Sequence, residues 1–282
     1  MIAAVIAAAA VLGAIALLGL RALSRHLIYL PWRWSESEAR AWNPGYEEVW
    51  VEVPGGVRLH GWLARGSRRD LAVLICHGNA GNLGVQEGLF APYRRLGVTA
   101  LLFDYRGYGL STGRPDEEGI AADTLAALDS LARLTDLPPG RLVLHGKSLG
   151  GAPAARAAAG RRVAGLILES AFTSAVDLGR DHYPFLPVSW LVKDRLDALS
   201  RLGQITCPVL ILHGEGDDIV PPAHAPRLAA AAGERATLVL LPRSGHNDTF
   251  EAEAAAYLGA VRQFLDRVAP PLGPSQPRPP GG

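Results

Sequence analysis

The sequence predicts an α/β fold: a mostly parallel central sheet with helices on both faces and a short cap, preceded by one N-terminal transmembrane helix. Three observations lead there. Short apolar runs alternate with Ala-rich stretches of helical length through the middle of the chain, and alternating β and α elements build a parallel sheet wrapped by helices. Those runs lack period-2 alternation, as strands buried on both faces should. Residues 2–20 carry no charged or strongly polar side chain. As a helix they would span about 28 Å, against a hydrocarbon core of about 30 Å.

The N-terminal helix comes first in the chain. A cleaved signal peptide wants a basic segment before a shorter apolar run, whereas here no Lys or Arg precedes the run and Arg21, Arg25 and Arg33 follow it. Residues 1–25 are therefore expected to be an uncleaved membrane anchor. The basic flank would keep the bulk of the chain in the cytoplasm. Residues 26–44 read as a juxtamembrane segment, where Tyr29, Trp32 and Trp34 suit either an interfacial belt or packing on the globular part. That part is expected over 45–268. Strands at 49–53 and 57–64, joined by Pro54-Gly55-Gly56, make a hairpin. Further strands are expected at 71–76, 98–103, 141–144, 163–168, 207–212 and 237–241, with helices at about 118–135, 148–160, 222–232 and 249–268. Around 171–205, Pro184, Pro187 and several aromatics break the rhythm, as an inserted cap would. Residues 269–282 read as a disordered Pro/Gly-rich tail.

Composition excludes several classes. With 49% apolar and 20% charged residues over 282 positions, the chain can offset its ordering entropy by burial and is not a disordered protein. The 28 Lys and Arg against 27 Asp and Glu leave no basic excess for reading nucleic-acid phosphates. Cys76 and Cys207 are too few for a disulfide framework or a structural zinc site, and sit in apolar runs as buried thiols. No clustered ligand set or dinucleotide fingerprint is present, so neither metal nor organic cofactor is expected.

One constellation carries chemistry. Gly146-Lys147-Ser148-Leu149-Gly150 follows a strand and opens a helix, the setting of a G-x-S-x-G nucleophile elbow. Its glycines suit a turn so tight that a Cβ would strike neighbouring backbone. A serine hydroxyl needs a base, itself oriented by an acid, and in this architecture they follow in the order acid, base. The run His213-Gly214-Glu215-Gly216-Asp217-Asp218 follows a strand and offers Asp217 or Asp218, with Glu169 as the fallback acid. Ser244-Gly245-His246-Asn247-Asp248 follows the last strand and offers His246. All lie where strands end, as sites in open α/β sheets do. Two amides should hold an oxyanion: that of Leu149, and one from His77-Gly78-Asn79-Ala80-Gly81-Asn82, with Asn79 the first choice. His77, His145 and His213 read as structural, and His224 as a solvated surface residue. The run Asp104 to Ser111 reads as a turn with an internal Asp/Arg pair. Phe172, Tyr183, Phe185, Trp190 and Leu191 are candidates to line a substrate pocket.

Together these motifs resemble the α/β-hydrolase superfamily, and more narrowly the membrane-anchored α/β-hydrolase-domain proteins related to the fission-yeast morphology protein bem. The resemblance covers about residues 45–268. It is carried by 77–82, 104–111, the Ser148 elbow, Leu168-Glu169-Ser170-Ala171-Phe172, 213–221 and 245–248. It implies that the acid is Asp217, the fifth residue counted from His213, and that the N-terminal run is an anchor. Pro153 departs from the usual alanine or valine, at a first-turn position where proline is tolerated. The implied activity is hydrolysis of a carboxylic ester or thioester, lipid-like or acyl-protein, through an acyl-enzyme. A serine peptidase of the prolyl-aminopeptidase kind and a non-catalytic binding protein on the same scaffold are the alternatives.

Overall fold

The structure is a computed structural model and describes residues 1–269. Its order of elements is α1 (Ile2–Ile28), β1 (Leu30–Pro31), α2 (Glu36–Trp42), β2 (Glu47–Val53), β3 (Val57–Ala64), β4 (Ala72–Cys76) and β5 (Ala80–Gly81). There follow α3 (Ala91–Arg95), β6 (Thr99–Phe103), α4 (Glu117–Thr135), β7 (Leu142–Lys147), α5 (Gly151–Gly160) and β8 (Gly165–Glu169). The cap carries α6 (Ala175–His182), α7 (Val188–Leu191) and α8 (Leu199–Leu202). The chain ends with β9 (Val209–Gly214), α9 (His224–Ala232), β10 (Ala236–Leu241), α10 (Thr249–Ala252) and α11 (Ala254–Val268).

The continuous apolar runs do what burial on both faces demands. Every residue of β4, β6, β7, β8 and β9 is buried, and these strands form the interior of one eight-stranded sheet in the order β10-β9-β8-β7-β4-β6-β3-β2. Pairing is parallel from β6 to β10, while β3 runs antiparallel to both β6 and β2. Two apolar clusters cover the faces, one beneath α4, α5 and α9, the other beneath α3 and α11. The hairpin turns at Gly55 and Gly56, both at positive φ (93° and 82°), which only glycine adopts at little cost.

The departures from the sequence reading have physical reasons. The 237–241 run is an edge strand, so Leu238 and Leu240 of β10 are exposed rather than sandwiched. The helix expected over 249–268 breaks at Glu253 (φ −138°), whose buried carboxylate turns back to accept from the Arg243 amide and the Ser244 hydroxyl. Helix α2 was not expected, although Ser35 and Glu38 form a capping box at its start. The juxtamembrane segment is no passive link. Helix α1 continues past residue 25 to Ile28, and β1 pairs in parallel with β5 through Leu30 and Pro31. Contacts with the globular part thus begin well before residue 45. Tyr29 is buried and Trp34 packs on Trp62, centroids 5.9 Å apart, while Trp32 is exposed. The tail expected over 269–282 lies outside the described residues from 270 onward.

Candidate active site

The elbow forms where β7 ends. Ser148 takes φ +51°, rare for a side-chain-bearing residue, in a single 3-10 turn, Ser148–Gly150, that leads into α5. The glycines are sterically fixed. A Cβ on Gly146 would lie 2.4 Å from the Gly150 carbonyl oxygen, and one on Gly150 would lie 2.0 Å from that of Cys76. Such strain persists only where surrounding structure over-determines it, as at reactive centres. Pro153 sits in the first turn of α5, where its missing N–H costs no helical bond.

The structure brings Asp217 and His246 together: His246 Nδ1 is 2.8 Å from Asp217 Oδ2. The other carboxylate oxygen, Oδ1, accepts from the amides of Ile219 at 3.0 Å and Val220 at 2.7 Å. His213 Nε2 stands 3.3 Å from Oδ2 and 2.9 Å from the Val220 carbonyl. Burial pushes the Asp217 carboxyl up, but the bonds from His213, His246 and Val220 outweigh it and hold the group well below the usual carboxylate range. Asp218 makes no such contact with His246 among the described residues. Glu169 is occupied elsewhere.

Glu169 anchors a network that the sequence reading did not anticipate. In the register of β7 and β8, Lys147 faces Glu169, and the Lys147 ammonium donates to Glu169 Oε1 at 2.9 Å and to the His246 carbonyl at 2.9 Å. Thr249 and Tyr257 donate to the same carboxylate at 2.6 Å each, and His145 Nε2 lies 3.0 Å away. Burial opposes ionisation of Glu169, yet the Lys147 charge and these bonds hold it well below its usual range. The residue before the candidate nucleophile thus pins the loop that carries the candidate base. The visible signal was two opposite charges ending adjacent apolar strands.

Above Ser148 opens a cavity of about 530 Å³. Ser148, Leu149 and Asn79 lie on its wall. The Gly-rich loop passes close over the nucleophile, since a Cβ on Gly78 would stand 3.8 Å from Ser148 Cβ. The Asn79 side chain donates to the Ile28 carbonyl at 3.2 Å, and its own carbonyl accepts from the Leu30 amide at 3.0 Å and the Tyr108 hydroxyl at 2.8 Å. The remaining lining is mostly apolar: Phe172, Leu178, Tyr183, Leu186, Val188 and Leu191 from the cap, with Ile219 and Val220 beside the acid loop. Four further residues, Leu20, Ser24, Leu27 and Ile28, come from α1. No sequence motif marked them.

Several expectations are corrected here. Phe185 and Trp190 do not line the cavity. Phe185 is 98% exposed at the turn before α7, and Trp190 faces outward under the Arg21 guanidinium, 5.0 Å from its ring centre. His224 is buried rather than solvated: Nδ1 meets Thr173 and Nε2 meets Asp181 on α6, which ties the cap to α9. Arg106 pairs with Asp123 of α4 at 2.7 Å, not with Asp104. Asp104 instead lies buried 3.6 Å from His77. Burial pushes its carboxyl well up and pushes the His77 imidazole down to about 4. Cys76 and Cys207 are buried free thiols, and burial raises them to about 12 and about 11.

Comparison with known proteins locates this arrangement. A family model described as alpha/beta hydrolase fold matches residues 72–189, and one described as TAP-like protein matches residues 188–272. An uncharacterised Mycobacterium tuberculosis protein is 41% identical over 249 residues, which cover 87% of this chain and 88% of that protein. The alpha/beta hydrolase domain-containing protein WAV2 of Arabidopsis thaliana is 33% identical over 275 residues, covering 88% of this chain and 89% of its own. Among solved structures, the Pyrococcus furiosus esterase Pf2001 matches with a TM-score of 0.68 at 18% identity, covering 85% of this chain and 97% of that one. An Exiguobacterium antarcticum esterase matches at 0.60 and 20% identity, covering 78% and 100%. At such identities the structural likeness speaks to the fold.

Proposed function

The chain belongs to the α/β-hydrolase family, and from that premise we propose that it is a serine hydrolase that cleaves carboxylic esters or thioesters. The observation that carries this reading is the strained Ser148 on the wall of an apolar cavity, at the end of the strand whose Lys147 pins the His246 loop. With Nδ1 engaged by Asp217, the base is Nε2 of His246. It takes the Ser148 proton as Oγ attacks the acyl carbonyl. The amides of Leu149 and Asn79 hold the oxyanion, and His246 then protonates the leaving group. Water repeats the sequence on the acyl-enzyme. Asp217 remains ionised throughout and stabilises the imidazolium, as its depressed carboxyl supports.

The same reading makes α1 an uncleaved anchor. Val5–Ile28 is long and apolar enough to cross a membrane, with mean hydropathy 2.2. Its C-terminal turns are also tied to the globular part. Buried Asp194 receives the Arg25 guanidinium at 3.0 Å and the Tyr29 hydroxyl at 2.9 Å. Cleavage after Arg25 would leave a buried carboxylate without its cation, a costly outcome. Arg21, Arg25 and Arg33 favour a cytoplasmic catalytic side.

The test is direct. A fluorophosphonate should label the wild-type protein and not Ser148→Ala, and p-nitrophenyl ester turnover of that variant should fall on the order of 10⁴-fold. Wild-type turnover by Ser148→Ala would end the proposal. Aminoacyl anilides run in parallel separate the peptidase alternative.

A further inference from the structure

We propose that α1 is a wall of the acyl pocket as well as an anchor, and that the substrate is a lipid ester whose acyl chain lies between α1 and the cap. This rests on the serine hydrolase reading above and names the substrate class of that site. Leu20, Ser24, Leu27 and Ile28 fall on one face of α1, spaced by four, three and one residues, and all four line the cavity that reaches Ser148. The stretch from Leu20 to Ile28 extends about 12 Å along the helix axis, so the apolar wall runs from the reacting serine toward the part of α1 that leaves the protein.

That face is held in register by polar contacts at its base. Arg25 and Tyr29 grip Asp194, just beyond α7, and Arg21 lies over Trp190 of α7. The Ile28 carbonyl accepts from the Asn79 side chain, and β1 pairs with β5 immediately after Asn79. The residues that shape the far wall are therefore bonded to the loop expected to hold the oxyanion. Beyond the pocket, α1 continues as an exposed apolar helix through Ile15, Leu12 and Val11. On the cap, Phe185 and Tyr183 are also exposed, at 98% and 61%. A chain leaving the pocket along α1 follows this apolar helix. A cavity of about 530 Å³ lies within the range of about 300–1,000 Å³ that encloses small organic ligands.

The experiment uses the full chain in phosphatidylcholine nanodiscs and compares kcat/KM for p-nitrophenyl dodecanoate and p-nitrophenyl acetate. Burial of each methylene should raise the wild-type rate constant by about fourfold until the wall ends. Ser24→Phe and Leu27→Trp, which fill the α1 side, should each lower the dodecanoate-to-acetate ratio at least tenfold, chiefly through KM for the long ester. Fluorophosphonate labelling of Ser148 reports that each variant is folded. Leu27 is largely exposed, so its variant decides the matter should Ser24→Phe not fold. An unchanged ratio in labelled variants overturns this proposal and leaves the hydrolase reading standing. Wild-type acetate turnover by Ser148→Ala overturns the hydrolase reading itself.

Discussion

The reacting end of the cavity and its far wall are built by opposite means. Around Ser148, Lys147, Glu169, His145, Thr249 and Tyr257 form a buried network in which one carboxylate meets four partners. The wall beyond is made of leucines, valines and aromatics from α1 and the cap, with its few polar ties set at its base. Directional bonds fix atoms that must meet to within a fraction of an ångström; apolar contact fixes a volume and tolerates exchange of one side chain for another. The first region should therefore be brittle to substitution and the second adjustable.

The largest break should come at the orienting acid. Asp217→Asn keeps the shape but leaves His246 in the wrong tautomer, and kcat for a p-nitrophenyl ester should fall on the order of 10⁴-fold. Retained turnover would show that the Asp217–His246 contact at 2.8 Å is structural only. Next comes Lys147→Met, which strands the Glu169 carboxylate. Removing one partner of a buried ion pair costs about 3–5 kcal/mol, to be read by urea unfolding. A loss of kcat in protein that remains folded would further show that the His246 loop depends on the Lys147 bond to its carbonyl.

A pH experiment separates the brittle region from its surroundings. His77 and Asp104 lie 3.6 Å apart, and burial lowers the His77 imidazole to about 4 while it raises the Asp104 carboxyl. Below the unfolded histidine value the unfolded chain binds a proton at His77 that the folded chain does not, so His77 makes stability fall as pH drops from 7 to 4.5. The raised Asp104 carboxyl acts in the opposite direction, because there the folded chain binds the extra proton. Asp104→Asn removes that offset and leaves the His77 contribution, a fall of about 3 kcal/mol between pH 7 and 4.5, steeper than in wild type and measured by chemical unfolding at both pH values. No difference would show His77 ionised in the fold. The smallest effect is at the periphery: Ser35→Ala removes the α2 cap and should cost about 1 kcal/mol with no change in kcat/KM.

The same contrast explains what could be read from the chain alone. Short-range demands leave motifs: the Gly146 and Gly150 collisions and the Gly-rich turns after strands are visible because no other residue fits. Most strands were visible because burial on both faces writes a continuous apolar run. The cap was not legible in the same way. Phe185 and Trp190 are apolar in sequence, yet orientation in short helices and turns is set by tertiary packing, which turns them outward. His224 looked like a surface histidine until the cap folded over it to place Asp181 at 2.9 Å. The α1 lining escaped for a simpler reason. A residue suited to lipid and one suited to an acyl pocket are the same leucine.

The contacts that complete the pocket join parts of the chain that are far apart in sequence. Arg25 meets Asp194 across 169 residues, and Asn79 reaches Ile28 across 51. Loops that long close late, because their entropy must be spent before the contact returns anything. A segment made before the sheet is thus among the last to find its partners. During synthesis α1 waits, while the sheet that will seat it is still being made.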